Sequence, residues 1–172
     1  MNIKKLKNIK LLLLDVDGVL TDGKIIYSDN GEETKSFNSK DGLGIRLLMD
    51  SKIKIGIITG RKSKALSYRC KNLGITLLFD GITNKLDAFN LILKKTNILP
   101  KETAFAGDDL PDLPVMKKAG LSICPADAPP YIKEHADIIT NQKGGDGAIR
   151  EVCEQILKAQ DKWNIIMNKY LS

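Results

Sequence analysis

Leu11-Leu-Leu-Leu-Asp15-Val-Asp17-Gly18-Val-Leu-Thr21-Asp22 decides the fold of this chain, because it joins an unbroken apolar run to two closely spaced carboxylates. A short apolar run closed by a glycine is typical of a strand buried on both faces of a parallel sheet. Asp15 and Asp17 then follow the carboxyl end of that strand, where open α/β sheets bind ligands. The alternative is a helix cap or an Asx-turn built on Asp17 or Asp22.

The rest of the chain alternates between strand-like and helix-like segments. This βαβ alternation predicts an α/β fold, a Rossmann-like, doubly wound and mostly parallel sheet with helices on both faces and right-handed crossovers. The strand-like stretches lie near 9–15, 53–59, 75–80, 103–107, 121–124 and 137–140, and the helical patterns near 43–51, 62–73, 85–97 and 112–119.

Two segments stand outside that alternation. Residues 19–38 carry an Asn30-Gly31 turn between two β-prone arms, which predicts a β-hairpin directly after the aspartate pair, and we expect it to be a flap over the site rather than a decoration. Residues 147–172 begin with apolar residues at helical spacing, which predict a packed helix. The apolar tail from Trp163 onward is open to three interpretations: contact with a partner subunit, packing on its own chain, or fraying.

Length and composition indicate a single globular domain, residues 1–172. Aromatic residues make up only 5% of the chain, which argues against stacking platforms for nucleic acid. The net charge of +6 is dispersed along the sequence, so we expect no nucleic-acid partner, although a basic surface steers small anionic substrates.

The location of the protein is predicted from what its sequence contains. No apolar segment reaches the roughly 20 residues that cross a bilayer, so no membrane partner is expected. The basic start of the chain runs directly into Asp15 without a small-residue cleavage site. Cys70, Cys124 and Cys153 are odd in number and widely spaced, which indicates neither a disulfide framework nor a zinc site. We therefore expect a cytoplasmic protein.

Three more predicted strands end in polar residues. Thr59-Gly60-Arg61 offers a hydroxyl, a glycine that lets backbone approach a ligand, and a guanidinium suited to phosphate or carboxylate. Lys85 begins a predicted helix, a poor place for a cation unless an anion lies nearby. Asp108 and Asp109 follow the fourth strand, and Asp112 comes at the next helix start, where it is either part of the site or an N-cap.

These strand ends converge on one edge if the sheet is parallel. Carboxylates at such density repel one another unless a hard cation lies among them, and an all-oxygen ligand set suits Mg²⁺. Mg²⁺, a lysine and a threonine all bind phosphate oxygens, and a carboxylate can attack phosphorus in line. The sequence therefore predicts a magnesium-dependent phosphoryl transfer.

Four motifs resemble the haloacid dehalogenase superfamily: DVDGVLTD (15–22), ITGR (58–61), Lys85 and GDDLPD (107–112). Together they extend over the whole catalytic fold and occur in the order of the family. A two-component receiver domain also uses Asp, Thr and Lys on such a sheet, but its phospho-accepting aspartate follows the third strand, where this chain has Asp80-Gly81. It would not require Gly107-Asp108-Asp109.

The resemblance implies a role for each motif residue. Asp15 would be the nucleophile that forms an aspartyl-phosphate, and Asp17 the acid that protonates the leaving alcohol and then the base that activates water. Mg²⁺ would bind the Asp15 carboxylate, the Asp17 backbone carbonyl and the Asp108 carboxylate. The supporting residues would be Asp109 and Asp112, which hold water and Lys85, and Thr59 and the Gly60 amide, which hold phosphoryl oxygens.

The spacing of the motifs leaves no room for the cap domain that many members of this superfamily carry. The chain is therefore similar to the capless subgroup that removes phosphate from 3-deoxy-D-manno-octulosonate 8-phosphate, in the synthesis of lipopolysaccharide precursors. Members form a homotetramer in which the hairpins make a central barrel and a neighbour's loop completes the pocket. By this resemblance Lys40, Asp41 and Gly42 are loop residues at the substrate, and Arg61 and Arg69 meet the sugar acid.

Two other functions stay open on the sequence alone. One is a phosphatase for a nine-carbon sugar acid 9-phosphate, and the other is a non-catalytic oligomerisation module. The module would be favoured by the loss of a motif aspartate, and none is lost. The chain departs from the subgroup at Asp146, where a basic residue is expected in many relatives, and in the apolar character of its tail.

Overall fold

The computed structural model describes residues 3–171 of the chain. The strands in that range are β1 (Leu11–Leu14), β2 (Ile26–Tyr27), β3 (Glu33–Thr34), β4 (Lys54–Ile58), β5 (Leu77–Phe79), β6 (Thr103–Ala106), β7 (Leu121–Cys124) and β8 (Ile138–Ile139). Six of these described strands form one parallel sheet in the order β5-β4-β1-β6-β7-β8. The predicted doubly wound parallel sheet is confirmed.

Helices cover both faces of the sheet. They are α1 (Ile3–Lys7), α2 (Ser39–Asp50), α3 (Lys64–Leu73), α4 (Lys85–Thr96), α5 (Leu113–Met116), α6 (Pro130–Lys133), α7 (Ala148–Ala159) and α8 (Trp163–Leu171), with 3₁₀ turns at Pro100–Glu102 and Leu110–Asp112. Because β1 is buried on both faces, alternate leucines enter opposite cores: Leu12 and Leu14 pack with α2, α3 and α7, whereas Leu11 and Leu13 pack with α4, α5 and α6.

The predicted hairpin is present as β2 and β3, which pair antiparallel with Tyr27 opposite Glu33. Gly31 makes its turn, with φ of 77° and its amide donating to the Ser28 carbonyl at 2.9 Å. No cap domain lies in the described chain between β1 and β4, where only this hairpin and α2 are found.

Two element boundaries differ from the predicted ones. Helix α2 begins at Ser39 rather than near 43, because the Asn38 side chain accepts a hydrogen bond from the Lys40 amide and caps the helix earlier. The segment expected as one helix is two, since Asp161 adopts a left-handed φ of 58° between α7 and α8. Within α8, Trp163 and Ile166 pack on the core, so part of the apolar tail packs on its own chain.

Candidate active site

The site lies at the carboxyl edge of the sheet, where the strand order reverses. The chain passes from β1 to β4 and β5 on one side and then returns to β6 on the other, so β1 and β6 flank the switch point. The Asp15 amide continues the pairing beyond β1, donating to the Ala106 carbonyl at 2.9 Å. Open α/β sheets bind ligands in the crevice at such a point.

Lys85 joins two carboxylates from different strand ends. Its ammonium nitrogen lies 2.9 Å from Asp15 Oδ1 and 2.7 Å from Asp112 Oδ1, and the side chains of all three residues are at most 9% exposed. Burial opposes the charge of Lys85, but Asp15 and Asp112 outweigh it and hold its pKa above the ordinary value. Lys85 is thus a fixed cation at the first residue of α4, held by the anions that the sequence predicted.

Asp112 organises the loop after β6. Its second oxygen, Oδ2, accepts the amides of Asp108 at 3.0 Å and Asp109 at 3.3 Å. Asp112 stands at the N-cap position of α5, but its side chain makes no capping hydrogen bond to that helix and serves the site instead. Asp109 caps the preceding 3₁₀ turn by accepting the Leu110 amide at 2.8 Å.

Asp15, Asp108 and Asp112 place one carboxylate oxygen each within 4.8 Å of one another. Asp108 Oδ1 is buried without a hydrogen-bond partner among the described residues. Burial and the carboxylates of Asp15, Asp112 and Asp109 raise the pKa of Asp108 to about 7. Burial and Asp112 also raise the pKa of Asp15, against the opposing effect of Lys85.

This donor set fits a hard divalent cation. Both oxygens of Asp112 already accept hydrogen bonds, whereas Asp108 presents an oxygen without one. Asp15 and Asp108 are therefore the side chains best placed to hold Mg²⁺, and Asp112 is a support for Lys85 and the loop. Gly18 makes room for this arrangement, because a Cβ there would lie 2.0 Å from Asp108 Oδ2.

Thr59 and Gly60 leave the strand next to β1. Since Leu14 pairs with Ile57, Asp15 and Thr59 emerge at the same edge. Thr59 is buried, and its hydroxyl accepts the Arg61 amide at 3.4 Å. The Gly60 amide has no hydrogen-bond partner in the described chain, so it is available to an oxygen of a bound anion.

Asp17 meets the hairpin rather than the Asp15 cluster. Its Oδ1 forms an ion pair with Lys35, and its Oδ2 lies 3.8 Å from Arg61 Nε. Glu33 contacts the same two cations, at 3.1 Å from Lys35 and 2.5 Å from Arg61. Tyr27 OH also accepts a hydrogen bond from Arg61 at 2.9 Å. The hairpin therefore covers Asp17, the second aspartate of the first motif, as expected of a flap.

The remaining predicted substrate residues lie on or around α2. Asp41 is buried and its Oδ1 accepts the Arg150 amide at 2.7 Å, at the start of α7. Arg69 is half-buried over the Phe37 ring, donates to the Asn38 carbonyl at 2.9 Å and lies against Gly42. Lys40 is exposed. Within this single chain these four residues are not brought to the aspartate cluster, and their contact with substrate remains a prediction.

Sequence reasoning missed Glu33, Lys35 and Tyr131. Tyr131 OH donates to Asp109 Oδ1 at 3.2 Å from α6, and the Pro129-Pro130 pair before it gave no sign of this. The first two residues did leave a signal in the sequence, where Glu33, Lys35 and Phe37 alternate with Thr34 and Ser36. In the structure the first three are partly buried, whereas Thr34 and Ser36 are exposed. Charged residues on the inner face of a flap indicate that the flap has a charged partner. Asp22 forms the expected Asx-turn, its Oδ1 accepting the Lys24 amide at 3.2 Å.

Known proteins are similar to this chain in sequence and in fold. A family model described as haloacid dehalogenase-like hydrolase matches residues 78–152. The 3-deoxy-D-manno-octulosonate 8-phosphate phosphatase of Escherichia coli (strain K12) is 54% identical over 160 residues, which cover 93% of this chain and 85% of the relative. The chain belongs to this phosphatase family of haloacid dehalogenase-like hydrolases. The predicted family and enzyme class are confirmed.

Solved structures of the family agree with the model over nearly its whole length. The phosphatase from Yersinia pestis is 49% identical with a TM-score of 0.93, covering 94% of this chain and 88% of that chain. The Moraxella catarrhalis enzyme, solved in complex with magnesium ion, phosphate ion and KDO molecule, is 43% identical with a TM-score of 0.96, covering 98% and 97%. Magnesium, the cofactor predicted from the sequence, is therefore present in a structure of this family, and the carboxylates of Asp15 and Asp108 suit the same ion.

No helix within residues 3–171 is both long and apolar enough to cross a bilayer.

Proposed function

We propose that the chain is a magnesium-dependent phosphomonoesterase that hydrolyses 3-deoxy-D-manno-octulosonate 8-phosphate through an aspartyl-phosphate on Asp15. The observation that carries the proposal is the Asp15–Lys85–Asp112 bridge beside the unpartnered oxygen of Asp108, in a chain 54% identical to a phosphatase named for that substrate. Residues 1–172 act in this proposal as one catalytic domain.

In the first step a carboxylate oxygen of Asp15 forms a bond to phosphorus while the bond from phosphorus to the sugar oxygen breaks. Asp17 gives its proton to that departing oxygen, so the sugar acid leaves as a neutral alcohol at C8. Thr59 and the Gly60 amide hold the phosphoryl oxygens, and Lys85 offsets their negative charge.

In the second step a water oxygen attacks the same phosphorus and the bond to Asp15 breaks. Asp17, now ionised, takes the proton of the water, which returns both residues to their starting states. Mg²⁺, held by the carboxylates of Asp15 and Asp108 and the backbone carbonyl of Asp17, supplies charge neutralisation for the phosphoryl group. Asp109 and Asp112 hold the loop after β6 and Lys85 in position.

The substrate carries a carboxylate as well as a phosphate, and this accounts for the cations around the site. Arg61 lies beside Thr59-Gly60 and is the first candidate for the sugar acid. Arg69, Lys40, Asp41 and Gly42 lie outside this chain's own cluster. In the proposal the exposed Lys40 and the half-buried Arg69 serve a neighbouring subunit of a homotetramer, and the buried Asp41 and Gly42 hold the start of α2 that carries Lys40. A cytoplasmic location is part of the proposal, since Cys70, Cys124 and Cys153 are free thiols.

The test is phosphate release by the purified protein with Mg²⁺. It compares 3-deoxy-D-manno-octulosonate 8-phosphate with the nine-carbon sugar acid 9-phosphate and with common sugar phosphates, and Asp15→Asn is the control. We expect strong preference for the eight-carbon acid and no turnover by the variant. Preference for the nine-carbon acid would overturn the substrate, and absence of activity on every ester would favour the oligomerisation module.

A further inference from the structure

The hairpin places two opposite charges inside the fold. The Lys35 side chain is 2% exposed and that of Glu33 is 15% exposed, although the hairpin strands themselves are largely exposed. Residues two apart on an extended arm share a face, so both side chains point at the catalytic edge. Burying a lysine ammonium is costly unless anions surround it, and its two partners are Glu33 and Asp17.

The four side chains form a closed ring of alternating charge. Lys35 lies between Asp17 Oδ1 and Glu33 Oε1, and Arg61 lies between Glu33 Oε2 and Asp17 Oδ2. The two cations do not contribute equally to Asp17. Lys35 donates a hydrogen bond to Asp17, whereas Arg61 Nε stays 3.8 Å away and has no hydrogen-bond partner in the described chain.

This asymmetry gives the two oxygens of Asp17 different environments. Oδ1 is held by the buried Lys35, while Oδ2 accepts no hydrogen bond from any described residue. A carboxylate anchored through one oxygen has a defined rotamer, and its other oxygen is left for a reacting group. Arg61 is bound to Glu33 rather than to Asp17, and its side chain is 41% exposed. A substrate can therefore contact Arg61 without moving Asp17.

We propose that Lys35 is a positioning residue for Asp17: by fixing Oδ1 it presents Oδ2 to the sugar oxygen and then to water. This inference rests on the proposed function, in which Asp17 gives a proton to the departing alcohol as the phosphorus–oxygen bond breaks. In this proposal Lys35 acts through its contact with Asp17 Oδ1 and is not itself a catalytic residue. The hairpin is thus part of the acid–base machinery as well as a cover over the site.

Leaving-group dependence separates this role from a merely structural one. An alkyl phosphate needs a proton on its departing oxygen, whereas p-nitrophenyl phosphate releases a stable phenolate without one. The rates compared are single-turnover rates of leaving-group release, because the later attack of water on the aspartyl-phosphate is common to both esters. We expect Lys35→Met to lower that rate for the sugar acid phosphate about 100-fold, the low end of general acid catalysis, and for the aryl ester less than about threefold. In the Asp17→Asn background Lys35→Met should change neither rate further.

Two variants act as matched controls. Lys24→Met removes a lysine of the same hairpin whose ion-pair partner among the described residues is the exposed Asp22, and both rates should stay unchanged. Glu33→Gln breaks the ion pair with Arg61 and removes one of the two anions beside Lys35, but its amide oxygen can still accept from Lys35. The ion pair between Lys35 and Asp17 is kept, so the ratio of the two rates should stay near that of wild type. Two results would overturn the proposal: equal losses on both esters in Lys35→Met, or a change in the rate ratio in Glu33→Gln as large as that in Lys35→Met. Either would show that the charge ring only holds the hairpin in place.

Thermal melting checks that each variant is folded. If Lys35→Met is unfolded, Lys35→Arg replaces it, because the charge and bulk are kept while the wider guanidinium displaces Oδ1; a smaller but still selective loss on the alkyl ester is expected. A wild-type enzyme that hydrolyses p-nitrophenyl phosphate but not the eight-carbon acid phosphate would refute the proposed substrate but not the proposed role of Lys35. The same comparison is then made with whichever alkyl phosphate the wild type accepts, and an unselective loss there refutes the role of Lys35.

Discussion

Asp108 shows how a single residue can favour function over stability. Its buried Oδ1 has no hydrogen-bond partner among the described residues, and it lies among the carboxylates of Asp15 and Asp112. Without a cation these groups repel one another, which is the arrangement that a magnesium site requires. The unpaired oxygen is therefore costly in the metal-free protein and useful in the loaded one.

Asp108→Asn tests that trade-off. Removing one of three clustered charges should stabilise the metal-free protein by about 1 kcal/mol, since the variant replaces a repelled carboxylate by a neutral amide. The same change should abolish the rise in melting temperature that Mg²⁺ causes in wild type, together with phosphatase activity. Melting curves with and without Mg²⁺ measure both effects. A variant less stable than wild type without metal would contradict this account.

Asp112 is the residue on which the loop and Lys85 depend. It is fully buried and accepts hydrogen bonds from Lys85 and from the amides of Asp108 and Asp109. Asp112→Ala should lower the free energy of unfolding by about 3–5 kcal/mol, because it leaves a buried ammonium with one partner fewer. Denaturant unfolding measures the loss. Asp109→Ala, at an exposed cap, is the control and should cost about 1 kcal/mol.

Tyr131 holds Asp109 from outside the loop. Its hydroxyl donates to Asp109 Oδ1 at 3.2 Å, and both side chains are exposed. Tyr131→Phe keeps the ring and removes the hydrogen bond, which in water is worth about 1 kcal/mol or less. We expect kcat to fall by up to about fivefold and the melting temperature to fall by no more than about 4 °C. An unchanged kcat would show that Asp109 is positioned by its own loop.

At the scale of the elements, the edge strand β8 is held by a carboxylate just before it. Asp137 Oδ1 lies 2.6 Å from Lys5 Nζ of α1, and Oδ2 accepts the Ser122 amide of β7 at 3.0 Å. Burial opposes the charge, but Lys5 and Ser122 outweigh it and lower the pKa of Asp137 below its ordinary value of 3.8. A carboxyl group of this kind stabilises the fold above its unfolded pKa, and the contribution is lost as pH falls through the folded pKa.

Asp137→Asn should therefore destabilise the protein by about 1–2 kcal/mol at about pH 7, and the difference from wild type should shrink toward about pH 3. The reason is that Asn has no charge to lose, whereas protonation of Asp137 in wild type removes the contribution of its ion pair to the free energy of unfolding. Urea unfolding across that range measures the difference. Asp50→Asn, at an exposed position of α2, is the control and should change the free energy of unfolding at about pH 7 by less than about 0.5 kcal/mol. A constant difference for Asp137→Asn would exclude the ion pair as its source.

The elements also show where sequence patterns lose information. The central strands β1, β6 and β7 were predictable because each is a short, mostly apolar run that the parallel sheet buries on both faces. The start of α2 was not, since it depends on the Asn38 cap and not on apolar spacing. The break between α7 and α8 depends on the left-handed conformation of Asp161. An Asp within a helical pattern does not by itself predict that conformation.

For the whole molecule, the site was predictable to the extent that topology alone brings it together. Asp15, Thr59, Lys85 and Asp108 come from strand ends, and a parallel sheet must place all of those ends along one edge. The charge ring around Asp17 was not predictable, because it depends on how the hairpin folds back over that edge. Pairings between a flap and a strand end follow no fixed sequence spacing.

The exposed apolar surface of the molecule makes the proposed assembly testable. Ile25, Ile26 and Tyr27 are 40%, 50% and 60% exposed on the hairpin, and Tyr170 and Leu171 are 68% and 78% exposed on α8. Two strands of two residues each are too short to be stable alone, so the hairpin in particular needs a partner surface.

Ile26→Glu and Leu171→Glu distinguish the two surfaces in a homotetramer. If the hairpins form its centre, a buried charge in each copy is repelled by the others, so Ile26→Glu should run as a smaller species in light scattering while Leu171→Glu stays tetrameric. The dispersed variant should also lose most turnover of the sugar acid phosphate, because Lys40 and Arg69 serve a neighbour's site in the proposed enzyme. Its far-UV circular dichroism should stay that of a folded chain, since Ile26 is half exposed and outside both cores of the single chain, whereas its melting temperature should fall with the loss of assembly. Dispersal by Leu171→Glu alone would instead place the interface on the C-terminal helix, and a monomeric, fully active Ile26→Glu would show that each chain completes its own pocket.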